Sequence, residues 1–367
     1  MKPSVAVNLL WCRPGAVGGS EEYLVRQLTG VSNEGFRTRV FAPKGFTTAH
    51  PTLAELHDVV EARHDSSSRA RRILTESTWL RRRTRGVDVV HHGGGTLPPR
   101  SVEPTILTIH DLQYRKYPQY FSRARLTYLE SVMPRSARRA TLITVPTAYV
   151  RRTVVDAFGV DPERVIVVPH GVDDRLSADC TPEADLRQRF DLGGGPIVVY
   201  PAVTHPHKNH GFLIDVADRH WSHLGVKLVL MGGAGGAETS VRHQLADERV
   251  ARTVVHVGRV SDADRNGLVR MAHALAFPSE YEGFGAPVIE AMQLGTPVVA
   301  SDQACLPEVV GDAGLVIALQ EDLWAGLPDL VRARRTELVQ RGVERVRQFS
   351  TEASGAALAH AYRMAVS

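Results

Sequence analysis

The chain has 367 residues and a formal net charge of +4, with 43% hydrophobic and 23% charged residues. This is the composition of an ordinary globular protein that is long enough for two domains. Three widely spaced cysteines, Cys12, Cys180 and Cys305, fit neither a disulfide framework nor a zinc-binding pattern. No apolar stretch approaches the length of a membrane span, and the first apolar run, Val5–Trp11, is too short for a secretory signal. We therefore expect a cytoplasmic protein.

Short runs rich in valine and isoleucine alternate with helix-length spacers along the chain. In the first half these runs are Val5–Leu10, Arg39–Phe41, Val87–His91, Thr105–His110, Leu142–Val145 and Val165–Val168. In the second half they are Ile197–Tyr200, Lys227–Met231, Val254–Val257, Ala274–Phe277, Pro297–Ala300 and Leu315–Ile317. This alternation is typical of parallel sheets with crossover helices. We expect an α/β protein with two Rossmann-like domains that face each other across a cleft.

The domain boundaries follow from the turn formers and from the composition of the C-terminal segment. The segment Pro169–Pro182 (PHGVDDRLSADCTP) is rich in turn residues and is the expected linker. The first domain is then residues 1–172 and the second is residues 173–351. Residues 352–367 are alanine-rich and are expected to form a helix that packs back on the first domain.

Ligands of open parallel sheets bind beyond the C-terminal ends of the strands, and four segments at such positions carry chemically suggestive residues. They are the glycine turn Gly15–Tyr23, the pair His110-Asp111, the histidine-rich Thr204–His210, and Ser279–Asp302. Because the four segments come from both halves of the chain, they are expected to converge on the two walls of one cleft.

The last of these segments, SEYEGFGAPVIEAMQLGTPVVASD, contains Glu282 and Glu290 around a helix start. Pro287 suits the first helical position, and Gly295 suits a left-handed residue that ends the helix. A helix N-terminus attracts anions, whereas carboxylates accept hydrogen bonds from pairs of sugar hydroxyls. The pattern indicates a phosphate flanked by two polyols, as in a nucleotide sugar. The alternative is that both glutamates are solvated surface residues.

Other clusters leave alternatives open. The region 63–85 contains eight arginines interleaved with apolar residues, which favours either a solvated helix face or peripheral contact with an anionic membrane at its inner face. Nucleic-acid binding is not indicated, because no finger, RNP-like or zipper motif accompanies the arginines. His91 and His92, which precede a glycine triplet, are expected to line a cleft loop. His205, His207 and His210 resemble zinc ligands, but a turn at Pro206 separates them and no carboxylate or cysteine completes a site.

Four segments together resemble the retaining glycosyltransferases of family 4, which have the glycosyltransferase-B fold. They are GAVGGSEEY, TILTIHDLQYRKYPQYFS, YPAVTHPHKNH and PSEYEGFGAPVIEAMQLGTPVVASDQACLPEVVGDAGL. The last motif, with two glutamates separated by seven residues around Gly-Phe-Gly, is the most specific. The resemblance spans nearly the whole chain and implies retaining, metal-independent transfer of a hexose from a nucleotide-diphosphate sugar. It implies no cofactor and no metal.

The resemblance also implies roles for individual residues. It assigns catalysis to His110, Lys208 and Glu282. It assigns donor binding to Gly18, Gly19, Val260, Gly283, Phe284, Gly285, Ala286 and Glu290. In this reading Glu290 binds the ribose, Glu282 binds the transferred sugar, and Lys208 neutralises the leaving phosphate. His110 positions groups near the anomeric carbon; a His110-Asp111 base is the alternative that an inverting enzyme would use.

One position departs from the family pattern. Many relatives carry an arginine shortly before the lysine, whereas this chain has Ala202. Either Lys208 and the helix termini suffice for the phosphate, or His205, His207 or Arg259 contributes. The best guess for the donor is GDP-mannose, and the acceptor is a glycan, a lipid-linked saccharide or a small molecule. A nucleotide-sugar epimerase on the same fold is the alternative function, and a non-catalytic nucleotide-sugar-binding module is a third.

Overall fold

The computed structural model describes residues 2–14 and 18–367. They form two compact units, one from Met1–Gly171 together with Phe349–Ser367 and the other from Val172–Gln348. The predicted boundaries, after residues 172 and 351, lie one and three residues from these positions.

The first unit contains, within its described residues, a seven-stranded parallel sheet in the order β3-β2-β1-β4-β5-β6-β7. The strands are β1 (Ser4–Asn8), β2 (Arg37–Ala42), β3 (Asp58–Glu61), β4 (Val89–His92), β5 (Thr105–Thr108), β6 (Leu142–Val145) and β7 (Val165–Val167). The central strands are apolar and buried on both faces, as expected for a sheet covered by helices on each side. Strand β3 was not predicted, because its DVVE sequence lies at the edge of the sheet and is only half-buried.

Helices connect these strands. They are α1 (Gly19–Val31), α2 (Phe46–Ala49), α3 (Pro51–Leu56), α4 (Arg69–Thr75), α5 (Arg81–Arg83), α6 (Gln113–Lys116), α7 (Arg123–Arg139) and α8 (Ala148–Phe158). The side chains of Ser122 and Thr147 cap α7 and α8 by accepting a backbone N–H. Gly159 ends α8 with a φ of +60°, a conformation that glycine adopts without strain.

The second unit, whose backbone is described throughout, has a six-stranded parallel sheet in the order β10-β9-β8-β11-β12-β13. The strands are β8 (Ile197–Pro201), β9 (Lys227–Met231), β10 (Val254–Gly258), β11 (Ala274–Phe277), β12 (Val298–Ser301) and β13 (Leu315–Ile317). The helices are α9 (Glu183–Arg189), α10 (His210–Val216), α11 (Glu238–Leu245), α12 (Glu248–Thr253), α13 (Asp262–Met271), α14 (Ala286–Gln293), α15 (Leu306–Val310), α16 (Glu321–Ala325) and α17 (Leu327–Val346). The prediction of two α/β domains with parallel sheets is confirmed.

The helix α18 (Thr351–Val366) follows the second unit in sequence but belongs to the first. It packs on α1 so closely that a Cβ at Gly30 would lie 2.0 Å from the carbonyl oxygen of Thr351, and a Cβ at Gly355 would lie 2.2 Å from the carbonyl carbon of Gly30. Glycine is therefore required at both positions of this helix crossing. Leu358 and Tyr362 of α18 are fully buried in the core formed with α1 and β1.

A buried histidine joins α18 to the sheet. His91 on β4 makes hydrogen bonds to the hydroxyl groups of Tyr362 (2.9 Å) and Thr108 (2.7 Å), and Thr108 in turn bonds Thr144 (2.8 Å). His92, the next residue, is buried and its Nδ1 lies 3.1 Å from the side-chain Nδ2 of Asn8. The expectation that the two histidines line a cleft loop is wrong, because both belong to a central strand whose two faces are covered.

The arginine-rich region is helical from Arg69 to Arg83, with a π-helical turn between α4 and α5. Leu80 is buried and Trp79 packs edge-on against Phe41 of β2, whereas Leu74 is exposed. Arg82 and Arg83 are exposed, whereas Arg72 lies beside the buried Glu76 with a nitrogen–oxygen distance of 3.8 Å. In the described part of the chain, no helix combines the length and the apolar composition of a membrane span.

The buried histidines make stability depend on pH. Burial lowers the pKa of both His91 and His92 to about 3, so below pH 6.5 the unfolded chain takes up protons that the folded chain does not. Stability should fall as the pH drops from about 6.5 towards 3, by roughly 2 kcal/mol per buried imidazole at pH 5. Thermal unfolding of wild type and His91→Gln at pH 7 and pH 5 measures this, and we expect the variant to lose about 2 kcal/mol less over that interval.

The control is His360→Gln, which changes an exposed histidine of α18, the helix whose Tyr362 bonds His91. It should show the same pH-dependent loss as wild type. If His91→Gln lost as much stability between pH 7 and pH 5 as wild type, the assignment of this proton uptake to His91 would be contradicted.

Candidate functional site

The candidate site of the second unit lies where the order of its strands reverses. Strands β8 and β11 are neighbours in the sheet, and their connections run to opposite sides. Ligands of such sheets bind at this switch point, outside the C-terminal ends of the strands. The segment after β8 leads to Lys208, and the segment after β11 leads to Glu282. The topology therefore brings these two predicted residues to the same edge of the sheet.

Lys208 and Glu282 form a salt bridge in which the ammonium nitrogen lies 2.5 Å from a carboxylate oxygen. Both side chains are largely withdrawn from solvent, with exposed fractions of 17% and 11%. The ammonium also lies 5.6 Å from the centre of the Phe277 ring, at a distance where the face of an aromatic ring attracts a cation. The pair joins the two loops that flank the switch point.

A buried polar group beneath this pair fixes the backbone of both loops. The hydroxyl of Tyr200, at the end of β8, donates to the carbonyl oxygen of Lys208 (2.6 Å) and lies 3.2 Å from the hydroxyl of Ser279. Ser301 on β12 donates to the carbonyl oxygen of Ser279 (2.5 Å). All three side chains are fully buried. Sequence reasoning missed them, although a tyrosine at the end of an otherwise apolar strand is a signal that its hydroxyl has a buried partner.

The loop Gly283–Gly285 leads into α14. Phe284 is buried in the core. Gly285 has a φ of +87°, in the left-handed region that favours glycine, and it immediately precedes the first residue of α14. The helix begins at Ala286, with Pro287 second, and Gly295 follows it with a φ of +74°. The predicted helix and its glycine stop are confirmed.

Glu290 is the fifth residue of α14, so the two glutamates occupy the places that the sequence indicated, one on the loop and one inside the helix. Its side chain is half-buried. The first turn of α14 directs backbone N–H groups away from the helix at the end where Gly283–Gly285 arrives. The start of α14 thus lies between Glu282 on the loop and Glu290 in the helix.

The thiol of Cys305 contacts the backbone of the loop that contains Glu282 and Phe284. Its thiol lies 3.2 Å from the carbonyl oxygen of Glu282 and 3.4 Å from that of Phe284, and the side chain is fully buried. Burial raises the pKa of this thiol well above its usual range, with Glu282 and Glu308 adding to the effect. The thiol is therefore protonated and acts as a donor to the loop. Its isolated position in the sequence offered no signal of this role.

His207 and His210, which flank Lys208, are neutral at pH 7. Burial lowers the pKa of His207 to about 3, with a further contribution from Lys208, and lowers that of His210 to about 4. The rings of His205 and His207 stack with centroids 5.7 Å apart, whereas His210 packs on Tyr200. Within residues 2–14 and 18–367, His, Cys, Asp and Glu side chains form no group of three or more that is arranged to hold a metal ion.

A glycine-rich loop after β9 supports the segment that leads to Lys208. A Cβ at Gly232 would lie 2.2 Å from the carbonyl oxygen of Ala202, and one at Gly235 would lie 2.6 Å from that of Thr204. The close approach of two loops thus requires glycine at positions 232 and 235. Val260 follows β10, the edge strand of the sheet, which is separated from β8 by β9.

In the first unit, Gly18 and Gly19 form the start of α1, and both are exposed. A Cβ added at either would meet no described atom within 4 Å, so the space beside this helix start is open within the described part of the unit. Gly15, Ala16 and Val17 of the same motif lie outside the described residues.

His110 follows β5 and is held among aromatic rings. Its Nε2 donates to the carbonyl oxygen of Gly93 (2.9 Å), and the ring lies 5.7 Å from Trp11 and 5.4 Å from Tyr23, measured between centroids. Burial lowers its pKa to about 4, so the imidazole is neutral at pH 7. The proton on Nε2 leaves Nδ1 as the acceptor nitrogen.

The contacts of Cys305 give a test of its supporting role. Cys305→Ala removes the donor to two buried carbonyl groups and should lower the free energy of unfolding by about 1–3 kcal/mol. Cys305→Ser retains a donor and should recover most of the loss. Thermal unfolding, with hydrogen exchange of the Gly283 and Gly285 amides, measures the effect.

Cys180→Ala is the matched control, since that thiol lies 3.7 Å and 3.8 Å from its nearest carbonyl oxygens and is partly exposed. It should change stability by less than about 0.5 kcal/mol. Amide exchange in Cys305→Ala equal to that of wild type would rule out support of the loop by the thiol.

Two family models match the chain, one for each half. The model described as Glycosyltransferase Family 4 matches residues 17–176, and that described as Glycosyl transferases group 1 matches residues 183–337. Together they cover most of the chain, including the segments around His110, Lys208 and Glu282.

Individual proteins agree with these matches. The chain is 29% identical to the O-antigen chain mannosyltransferase B of Escherichia coli, covering 76% of this chain and 74% of that protein. It is 25% identical to the D-inositol 3-phosphate glycosyltransferase of Kineococcus radiotolerans, covering 96% and 92%. A mannosyltransferase of Mycolicibacterium hassiacum, MMP alpha-(1->4)-mannosyltransferase, is 33% identical over 47% of this chain and 39% of its own length.

Solved structures share the fold. The Anabaena protein HepE in complex with UDP and glucose has a TM-score of 0.74 at 19% identity, over 98% of both chains. The sucrose-phosphate synthase of Thermosynechococcus elongatus has a TM-score of 0.77 at 19% identity, over 99% of this chain and 98% of its own. With two matching family models and this architecture, the chain belongs to the family 4-type glycosyltransferases of the glycosyltransferase-B fold and is a glycosyltransferase.

Proposed function

We propose that the protein transfers a hexose from a nucleotide-diphosphate sugar to an acceptor hydroxyl, with retention of the anomeric configuration. The observation that carries this proposal is the convergence of Lys208, Glu282 and the start of α14 at the switch point of the second unit. An ammonium and helix N–H groups suit a diphosphate, and a carboxylate suits sugar hydroxyls. Glu290 is the candidate partner of the ribose hydroxyls.

The chemistry requires stabilisation of a departing anion. The bond between the anomeric carbon and the diphosphate oxygen breaks, and the acceptor oxygen bonds to the same carbon on the same face. The acceptor proton passes to the departing phosphate oxygen, and the products are the glycoside and a nucleoside diphosphate. Lys208 and the amides at the start of α14 stabilise the negative charge that develops on the phosphate. Ala202 carries no charge, so Lys208 is the cation that this proposal assigns to the departing phosphate.

His110 acts by position in this proposal. An efficient general base has a pKa near the working pH, whereas burial holds the pKa of His110 at about 4. Its Nε2 proton is committed to Gly93, which fixes the orientation of the ring. The neutral imidazole then orients a sugar hydroxyl or the reacting oxygens through Nδ1.

The preferred donor is GDP-mannose, because several of the relatives are mannosyltransferases. The acceptor is a saccharide, a lipid-linked saccharide or a small molecule that the first unit selects. HepE, whose structure contains UDP and glucose, has the same fold at 19% identity, so a uracil nucleotide is the competing donor to test.

A panel of GDP-, UDP-, dTDP- and ADP-sugars tests the function. We expect one donor class to raise the temperature of thermal unfolding, and turnover of that donor to persist in EDTA because the proposed reaction needs no metal.

Lys208→Met should lower kcat/KM on the order of a hundredfold or more. Release of nucleoside diphosphate should require an acceptor, whereas an epimerase would convert the donor without one. The proposal fails if no nucleotide sugar stabilises the protein.

We further propose that the arginines of region 63–85 contact anionic membranes and bring the enzyme to a lipid-linked acceptor. The helical segment keeps Trp79 and Leu80 inward, and the guanidinium of Arg83 lies 4.6 Å from the centre of the Trp79 ring. Arg82 and Arg83 are exposed, and Leu74, on the same segment, is 63% exposed. A charged face with one protruding apolar residue suits the surface of a membrane more than its interior.

Co-sedimentation with vesicles tests this contact. We expect binding to vesicles rich in phosphatidylglycerol and little binding to phosphatidylcholine alone, with a loss of about tenfold in affinity when Arg81, Arg82 and Arg83 are changed to Glu. The matched control changes three exposed arginines of the second unit, Arg332, Arg334 and Arg347, to Glu. Equal losses in the two triple variants would indicate that net charge, not this surface, governs the binding.

A further inference from the structure

The salt bridge between Lys208 and Glu282 has a consequence for what the site binds. The two charges are 2.5 Å apart and largely shielded from solvent, so each compensates the other. The neighbouring imidazoles of His207 and His210 are neutral at pH 7, since burial lowers the pKa of each. The charge that the pair presents to an incoming anion is therefore close to zero.

A diphosphate and the Glu282 carboxylate compete for the same ammonium. A nucleoside diphosphate that takes Lys208 leaves Glu282 without its cation and beside a new negative charge, which is unfavourable for a carboxylate that is only 11% exposed. A nucleotide sugar brings the hydroxyl groups of its sugar to the same place, and these donate to the carboxylate that the ammonium has left. The cost of separating the pair is then offset only for the ligand that carries a sugar.

We propose that the Lys208–Glu282 salt bridge makes the site discriminate against free nucleoside diphosphate in favour of the nucleotide sugar. The inference rests on the proposed function, because it takes Lys208 as the cation for the diphosphate. After transfer, the hydroxyl groups leave with the product sugar, Glu282 regains Lys208, and the nucleoside diphosphate loses its ammonium. The pair thus favours release of the second product.

The geometry allows this exchange of partners with little movement of the backbone. The carbonyl of Lys208 is fixed by Tyr200, and the carbonyl of Glu282 is fixed by Cys305. Only the two side chains have to move. The lysine has four rotatable bonds beyond its Cα and its ammonium lies over the Phe277 ring, so it can turn from the carboxylate to a phosphate oxygen while its stem stays in place.

Calorimetric binding of GDP and UDP to wild type and Glu282→Gln tests the proposal. Removing the carboxylate charge frees the ammonium, so we expect the nucleoside diphosphate to bind the variant about three- to tenfold more tightly. Turnover of the nucleotide sugar should fall, because the sugar loses its carboxylate partner. Opposite signs for product binding and turnover are the signature of the exchange, and a residue that only maintained the loop would weaken both.

Three controls accompany this test. Glu344→Gln removes an exposed carboxylate of the same unit and should leave nucleotide binding unchanged. Glu282→Gln combined with Lys208→Met should lose the gain in affinity, since no ammonium remains to be freed. Glu282→Ala, with its unfolding temperature measured, separates an effect on the charge from an effect on folding.

The outcomes separate failure of this inference from failure of the proposed function on which it rests. If wild type binds GDP or UDP and Glu282→Gln binds it equally or more weakly, the inference is wrong and the proposed donor site stands. If no nucleotide sugar of the GDP-, UDP-, dTDP- and ADP-sugar panel stabilises wild type, the proposed function itself is overturned, and the inference with it.

Discussion

A single constraint organises the second unit: parallel strands end at one edge of the sheet, and the helix connections diverge between β8 and β11. Residues that follow these two strands must meet, whatever their distance along the sequence. Lys208 and Glu282 are 74 residues apart and form a salt bridge for this reason. Everything around them supports this contact: a buried tyrosine, two serines and a thiol hold the backbone on which the two charges are carried.

The same edge of the sheet combines features that would oppose each other in isolation. The amides at the start of α14 favour an anion, whereas Glu282 and Glu290 repel one. Pairing Glu282 with Lys208 removes one of these repulsions and keeps the carboxylate available to a neutral hydroxyl group. The electrostatic neutrality of the pair is thus compatible with a ligand that is anionic at one end and rich in hydroxyl groups at the other.

The sequence was sufficient for the parts of the structure that depend on local pattern. Buried parallel strands such as Leu142–Val145 and Ala274–Phe277 have the predicted bounds, because a strand covered on both faces is apolar throughout. The stop of α14 at Gly295 was equally readable, since a left-handed residue there favours glycine. Family resemblance, together with these patterns, indicated the two-domain architecture and the enzyme class.

What the sequence did not reveal depends on contacts between distant segments. Cys305 and Tyr200 gain their roles only through the carbonyl groups that folding brings to them, and His91 is a strand residue bonded to Tyr362, 271 residues away. The polar edge strand Asp58–Glu61 lacked the apolar pattern of the central strands. Such features follow from tertiary packing, which local periodicity does not encode.

The crossing of α1 and α18 at Gly30 and Gly355 also bears on how the polypeptide assembles during translation. The segment Phe349–Ser367 completes the core of the first unit but leaves the ribosome after the whole of the second. Helix α1 must therefore wait, with its apolar face uncovered, while the intervening 177 residues of Val172–Gln348 are synthesised. The second unit is continuous in sequence and can fold as soon as it has been synthesised. The nascent chain would therefore complete the fold of the second unit before that of the first. This order is the reverse of the usual N-to-C order of domain folding.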